Sequence, residues 1–378
     1  MILSDQNCPL CKSSRNTTIY SSSNHPFFAG VKKEPYSEIL FFPLTVKQCL
    51  ECSFVFSQTS PDASIQIDKF YKSAVSMTSA PIDKSEHTSK IADRFILFLK
   101  NNFPLKPGIK VLEIGCREGF IMSQLRREFG IDITGIDISG TETITDELGP
   151  LKKIKDYFPS SKITGKFDLI YSKAVLEHVP DLNSFLSGIS QRLRPGGIFV
   201  CQVPNTEKSL LQGNIGIFIF EHVNFFTPHS LSFACQKNNL TPTKILTDNA
   251  SLTVVCHLGQ DKKNASSELQ LYNSSQFTNS LLKFKNIISS EKELSFFGAS
   301  PDLFNHLYTV IGNHQTNYSI YDNDGFKSGQ YFGLNTSPIK KPDTIKGEIV
   351  VMPITYSEEI TAQIKNLNPQ AEIIRLWN

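Results

Sequence analysis

From Ile109 onward the chain alternates short apolar runs with amphipathic stretches, and that alternation predicts strand, helix and strand in succession. IKVLEIG (109–115) reads as a buried strand, FIMSQLRREFG (120–130) as the helix after it, and IDITGIDIS (131–139) as a second strand. FDLIYSKAVLEHV (167–179) reads as a strand leading into a loop or helix. SFLSGISQRLRPGG (184–197) reads as a helix closed by Gly196 and Gly197, because glycine enters the left-handed helix end without a Cβ penalty. IFVCQVPN (198–205) is a further strand, and SLTVVCHLG (251–259) looks like a late edge strand. This order implies an α/β fold with a mostly parallel sheet and helices on both faces.

The pattern also divides the chain. Upstream, IADRFILFLKNNF (91–103) predicts an amphipathic helix. Downstream, DKKNASSELQ (261–270) is polar enough for a linker. After it come ELSFFGAS, a helix from Pro301, NYSIYDND, GEIVVMPIT, a helix over 357–366 and AEIIRLWN, which predict a second, smaller α/β unit. Three units are expected: residues 1–62, 63–262 and 263–378.

With 378 residues, 40% of them apolar and 20% charged, the chain can bury real cores and is neither disordered nor collagen-like. Its 38 basic and 36 acidic side chains leave a net charge of +2, which gives no global reason to bind nucleic acid or a membrane surface. No run of eighteen apolar residues predicts a membrane span. The start, MILSDQNCPLCK, lacks the basic-then-apolar pattern of a signal peptide, so a cytoplasmic location is expected. A reducing compartment argues against disulfides among the eight cysteines.

Four of those cysteines form two C-x-x-C pairs, Cys8/Cys11 and Cys49/Cys52, with 37 residues between them. Each pair offers two thiolates from one tight knuckle, and four thiolates complete a tetrahedral zinc shell with no open position. Such a site is structural. Cys116, Cys201, Cys235 and Cys256 are isolated in or near apolar strands and read as core.

The segment Val111–Phe120 carries the second candidate chemistry. Gly115 at the strand end permits a sharp turn and lets a ligand approach the backbone. Asp137 ends the next strand, 22 residues later, where a carboxylate can accept from two ribose hydroxyls. A dinucleotide would suit that geometry too, but three details favour S-adenosylmethionine. Gly119 is four residues from Gly115, with no G-x-G-x-x-G. Glu118 at the helix start is a poor neighbour for a pyrophosphate. Glu113 places a carboxylate where a cationic cofactor's amino group or sulfonium could be met.

The segment resembles motif I of class I methyltransferases, with Arg117 standing where the commonest pattern has glycine. FDLIYSKAVLEHVPD and LRPGGIFVCQVPN resemble the later motifs of that family. The resemblance implies a Rossmann-like domain in which Gly115, Cys116 and Gly119 line the methionine part of the cofactor. It also implies that Asp137 and Ile138 hold ribose and adenine, and that Ser172 and Lys173 face the reactive end.

FEHVNFFTPHSL puts Glu221 and His222 side by side among Phe220, Phe225 and Phe226, and histidine suits a general base near neutral pH. His178, in LEHVPD, is a second candidate, while His229 after Thr227-Pro228 reads as a helix-start residue. The whole chain resembles the sugar C-methyltransferase family that acts on nucleotide-linked deoxysugars. That family joins a four-cysteine zinc unit, a methyltransferase domain and a C-terminal α/β domain. The C-terminal likeness rests on FFGASPDLFNHL, YDNDGFKSGQYFGLNTSPI and PITYSEEI. The resemblance implies that His222 forms a sugar enolate with Glu221 beside it, that His178 assists or contacts the substrate, and that Tyr71 reaches it. One departure is Ile217-Phe218-Ile219-Phe220, where the family often has a tyrosine shortly before the Glu-His pair. O- or N-methylation of a saccharide or other small molecule is the alternative, and a non-catalytic binding protein a third reading.

Overall fold

A computed structural model describes residues 7–72, 82, 85–259, 270–290 and 292–377. The N-terminal part is a meander, β1 (Asn16–Pro26), β2 (Phe41–Cys49) and β3 (Val55–Thr59), each antiparallel to the next. Helices α1 (Pro61–Lys72) and α2 (Glu86–Asn102) follow. Ser85 starts α2 by accepting the Thr88 N–H, and the apolar stripe Ala92, Phe95, Ile96 and Leu99 turns inward. This is the helix expected from IADRFILFLKNNF. The polar stretch expected to link the last two units falls mostly outside the described residues.

The central part comprises β4 (Lys110–Ile114), α3 (Phe120–Phe129), β5 (Asp132–Ile136), the hairpin β6 (Ile144–Asp146) and β7 (Gly149–Ile154), β8 (Phe167–Lys173), α4 (Leu182–Arg192), β9 (Leu193–Pro204), α5 (Glu207–Gln212), β10 (Asn224–Phe225), α6 (Pro228–Lys237), β11 (Leu240–Thr247) and β12 (Ser251–Leu258). Its eight-stranded sheet runs β11-β12-β9-β8-β4-β5-β7-β6. Strands β7, β5, β4, β8 and β9 are parallel. From β4 the chain first builds outward through β5 and β7, then returns to build the other way through β8 and β9. The carboxyl ends of β4 and β8 therefore flank a topological switch point, where open α/β sheets bind ligands.

The remaining elements are α7 (Ser274–Ile288), β13 (Leu294–Phe297), α8 (Pro301–Ile311), β14 (Ser319–Tyr321), β15 (Glu348–Val351), α9 (Ser357–Leu367) and β16 (Glu372–Arg375). They form a parallel sheet, β14-β13-β15-β16. The three sheets are not independent. β10 pairs with β3 (Asn224 opposite Phe56, Phe225 opposite Val55), so a segment far along the chain completes the N-terminal sheet. One core joins Ile19, Val46 and Val55 to Phe218, Phe225 and Phe277. Another joins Phe28 and Ile39 to Phe296, Phe304 and Trp377 of the C-terminal unit. No helix among the described residues is long and apolar enough to cross a membrane.

Two expectations are corrected. The helix of 184–197 ends at Arg192 rather than at the glycines: Leu193 is extended and opposite Phe167 in the sheet. Arg194 precedes Pro195, and the proline ring disfavours helix in the residue before it. The strand of 251–259 is not at the edge, because β12 lies between β9 and β11. The edge belongs to β11, whose irregular register at Pro242/Lys244 is tolerable where one side needs no partner.

Candidate active site

The turn after β4 has three consecutive demands on its backbone. Gly115, Arg117 and Gly119 all have positive φ, at 85°, 45° and 75°. A Cβ on Gly115 would lie 2.4 Å from Val175 Cγ2, so the glycine is required by packing as well as by φ. Arg117 occupies the left-handed region where a glycine would be unstrained. Two contacts hold it there: its N–H donates to Asp137 Oδ2 (2.8 Å), and its carbonyl accepts from Lys153 Nζ (2.7 Å).

Asp137 also accepts at Oδ1 from the Ser139 N–H and hydroxyl, each at 2.7 Å. These bonds use three of its roughly four acceptor positions. The half-buried carboxylate thus keeps about one acceptor position, fewer than the two that a pair of ribose hydroxyls would use. Ile138 beside it is half-buried. Cys116 is buried, and its sulfur fills the space a side chain on Gly135 would need, so only its backbone can face a cofactor. Burial pushes the Cys116 thiol up.

Glu113, 4% exposed, receives the Tyr171 hydroxyl at Oε2 (3.0 Å). Burial raises its carboxyl to about 8. Ser172 is wholly buried and, by strand alternation, points to the opposite face of the sheet from Tyr171. Lys173 is half-buried, and burial lowers its ammonium although Glu177 and Glu113 oppose that shift.

Past β8 a short turn of 3-10 helix, Leu176–His178, carries the second group of residues. Glu221 and His222 sit on a turn rather than a strand, so their side chains need not point opposite ways. Backbone bonds bring the two segments together. The Val223 N–H donates to the Glu177 carbonyl (2.8 Å), and Asn224 Nδ2 donates to the carbonyls of Leu176 and Val179. From the other side, β3 grips the turn: the Ser57 hydroxyl donates to the His222 carbonyl and the Ser57 N–H to that of Val223. The His178 and His222 rings consequently meet edge to face, centroids 4.8 Å apart.

His178 Nδ1 lies 2.9 Å from the Glu221 carbonyl. A carbonyl can only accept, so Nδ1 carries the proton and Nε2 the lone pair of the neutral ring. Burial pushes His178 down to about 4 and His222 well below its usual value. Glu221 is 8% exposed. Glu177, 2% exposed, was not singled out from sequence. Its Oε1 is 3.9 Å from His178 Nε2, and burial raises its carboxyl to about 8. Adjacency in LEH was the available signal. Tyr71 belongs to α1, but its side chain lies outside the described residues. His229 is in the first turn of α6, behind a Thr227–Ser230 capping box.

The four N-terminal sulfurs also converge. Cys8 and Cys52 Sγ are 3.7 Å apart, Cys11 and Cys49 Sγ 3.4 Å, and all four lie within 4.8 Å of one another. Ligands about 2.3 Å from a tetrahedral zinc are roughly 3.8 Å apart, so the set fits such an ion. The Cys11 N–H donates to Cys8 Sγ and the Glu51 N–H to Cys49 Sγ, the outer bonds that orient thiolate ligands. The knuckle docks on the central unit through Asn183 Nδ2, which donates to the carbonyls of Pro9 and Leu10, and through Lys237 Nζ, which donates to that of Leu10.

A sheet with this order, a glycine turn after β4 and an acid after β5 define the class I methyltransferase fold. A family model described as a methyltransferase domain matches residues 85–245. A ubiquinone biosynthesis O-methyltransferase of Aromatoleum aromaticum is 30% identical over 173 residues, which span 41% of this chain and 74% of that protein. A trans-aconitate 2-methyltransferase of Deinococcus radiodurans is 31% identical over 103 residues, spanning 27% of this chain and only 40% of that protein. The crystal structure of a geranyl diphosphate C-methyltransferase from Streptomyces coelicolor is similar over 45% of this chain and 80% of that one, at 14% identity and a TM-score of 0.38, a likeness too small to speak to chemistry. On the sequence relationship the chain belongs to the class I S-adenosylmethionine-dependent methyltransferases.

Proposed function

We propose that the protein methylates carbon in a nucleotide-linked keto-deoxysugar, with His222 as the base that forms the enolate. The observation that carries this reading is the pairing of His178 and His222 at the carboxyl end of β8. Val175 links that pair to the glycine turn: it packs against Gly115, and its carbonyl accepts the His178 N–H. Bound S-adenosylmethionine supplies an electrophilic methyl group on a sulfonium. Asp137 would hold its ribose, with Ile138 against the adenine, and the backbone of Gly115, Cys116 and Gly119 its methionine part.

The protein's own contribution is then alignment and a base. A neutral His222, kept so by burial, takes a proton from the carbon beside the ketone. His178, its tautomer set by the Glu221 carbonyl, contacts the sugar or assists His222. Glu221 keeps its carboxylate beside the base. The four sulfurs hold a structural zinc in a unit of residues 1–62, methyl transfer falls to residues 63–262, and residues 263–378 form the further α/β unit.

Incubation with a panel of nucleotide keto-sugars in heavy water tests this. Deuterium is expected at the carbon beside the ketone, lost in His222→Ala, and the product should show a new C–CH3 signal by NMR. Exchange that persists in His222→Ala sinks the base assignment. An O–CH3 product instead selects O-methylation, the reading that the ubiquinone O-methyltransferase relative favours.

A further inference from the structure

We infer that Glu177, His178 and His222 form a second cation site, distinct from the four-cysteine knuckle, that takes a first-row transition metal of the zinc class. Their ligand atoms lie within 4.8 Å of one another. Two ligands of one tetrahedral zinc, each at about 2.0–2.2 Å, sit roughly 3.3–3.6 Å apart. The 3.9 Å between His178 Nε2 and Glu177 Oε1 comes within about half an ångström of that span.

Three further features point to a ligand. The His178 Nδ1–H donates to the Glu221 carbonyl, so the Nε2 lone pair faces Glu177. A ring whose outer N–H is tied to a carbonyl is the usual arrangement of a metal-bound histidine. Glu177 Oε2 is buried and has no hydrogen-bond partner among the described residues. Finally, His222 is held against His178 by backbone bonds on both sides of its turn, so the trio is assembled before any ion arrives. Two imidazoles and one carboxylate suit zinc, nickel, copper or iron, and three protein ligands leave a position open.

The site is independent of the enolate reading but bears on it, since a metal on His222 occupies the lone pair a base needs. Occupation would therefore stop turnover reversibly, making the trio an inhibitory metal site. The full chain, dialysed against micromolar Zn2+ and analysed for metal, should hold two zinc ions. Glu177→Gln, His178→Gln and His222→Gln should each hold one, and Cys49→Ser should keep the site formed by the trio. X-ray absorption on wild-type protein given its second equivalent should show that ion in a nitrogen and oxygen shell without sulfur, a result that does not depend on any variant folding. One zinc per wild-type chain, two in the Glu177 and His variants, or a sulfur shell for the second ion overturns the site. Failure of the enolate reading would leave the metal count at two and alter only the effect on turnover.

Discussion

His178 and His222 are 44 positions apart in sequence, yet their rings meet at 4.8 Å because the Val223 N–H is tied to the Glu177 carbonyl. One ring is therefore placed by the backbone of the other's neighbour. This ties the position of His222, the proposed base, to the loop that follows β8.

Substitutions at Asp137 and at His222 should separate binding from chemistry. His222→Ala is expected to lower kcat by about 10² to 10⁴, the usual contribution of a general base, with cofactor affinity unchanged. Asp137→Ala removes a charged acceptor worth about 1.5–3 kcal/mol per bond, so it should weaken S-adenosylhomocysteine binding roughly tenfold to hundredfold. Calorimetry of both variants beside steady-state kinetics checks the split.

The glycine turn should behave as one half of a packed pair. Gly115→Ala is expected to cost about 1–3 kcal/mol, from the φ of 85° and from the collision with Val175. Adding Val175→Ala should return the part due to collision and none of the part due to φ. Urea midpoints of the two single variants and the double variant measure the coupling.

Glu113 makes stability depend on pH in a stated direction. Its folded value, about 8, lies above its ordinary value of 4.5, so the folded state binds the extra proton. The neutral carboxyl's contribution is fully present below pH 4.5, declines as pH rises towards 8, and is then constant. Burial also raises Asp302, to about 6, so the wild-type slope has more than one source. The difference from Glu113→Gln isolates one of them: the variant should lose on the order of a few kcal/mol less between pH 5 and 8. Equal slopes in wild type and variant would contradict the burial argument.

Chelation should unfold the knuckle and slacken its dock. Removing zinc, or Cys49→Ser, is expected to lower the Tm substantially, since a structural zinc contributes directly to folding free energy. Chelator added to the Cys49→Ser, Glu177→Gln double variant, which should hold neither ion, should then shift Tm little further, and differential scanning calorimetry distinguishes these cases.

Much of this was legible in the chain. The buried runs around Val111 and Ile133 could only be interior strands, and the spacing of Gly115, Gly119 and Asp137 placed the turn between them. Glu177 was not legible as a site residue, because its meeting with His222 depends on a backbone bond across two loops. The β6–β7 hairpin is short and β11 carries lysine, threonine and proline, so neither has the alternation that announces a half-buried strand. Arg117 is the informative departure. Sequence showed only that a glycine was missing, whereas the structure shows a left-handed residue held by Asp137 and Lys153.

The two-residue strand β10 has a consequence for how the protein can be divided. Phe225 and Asn224 lend their backbone to the sheet begun by residues 16–59, and that pairing sits immediately after His222. The first sixty residues therefore back the turn that carries His222, the proposed base. A fragment trimmed to the span shared with other methyltransferases, residues 85–245, would keep the glycine turn, while His222 would precede a strand with no partner.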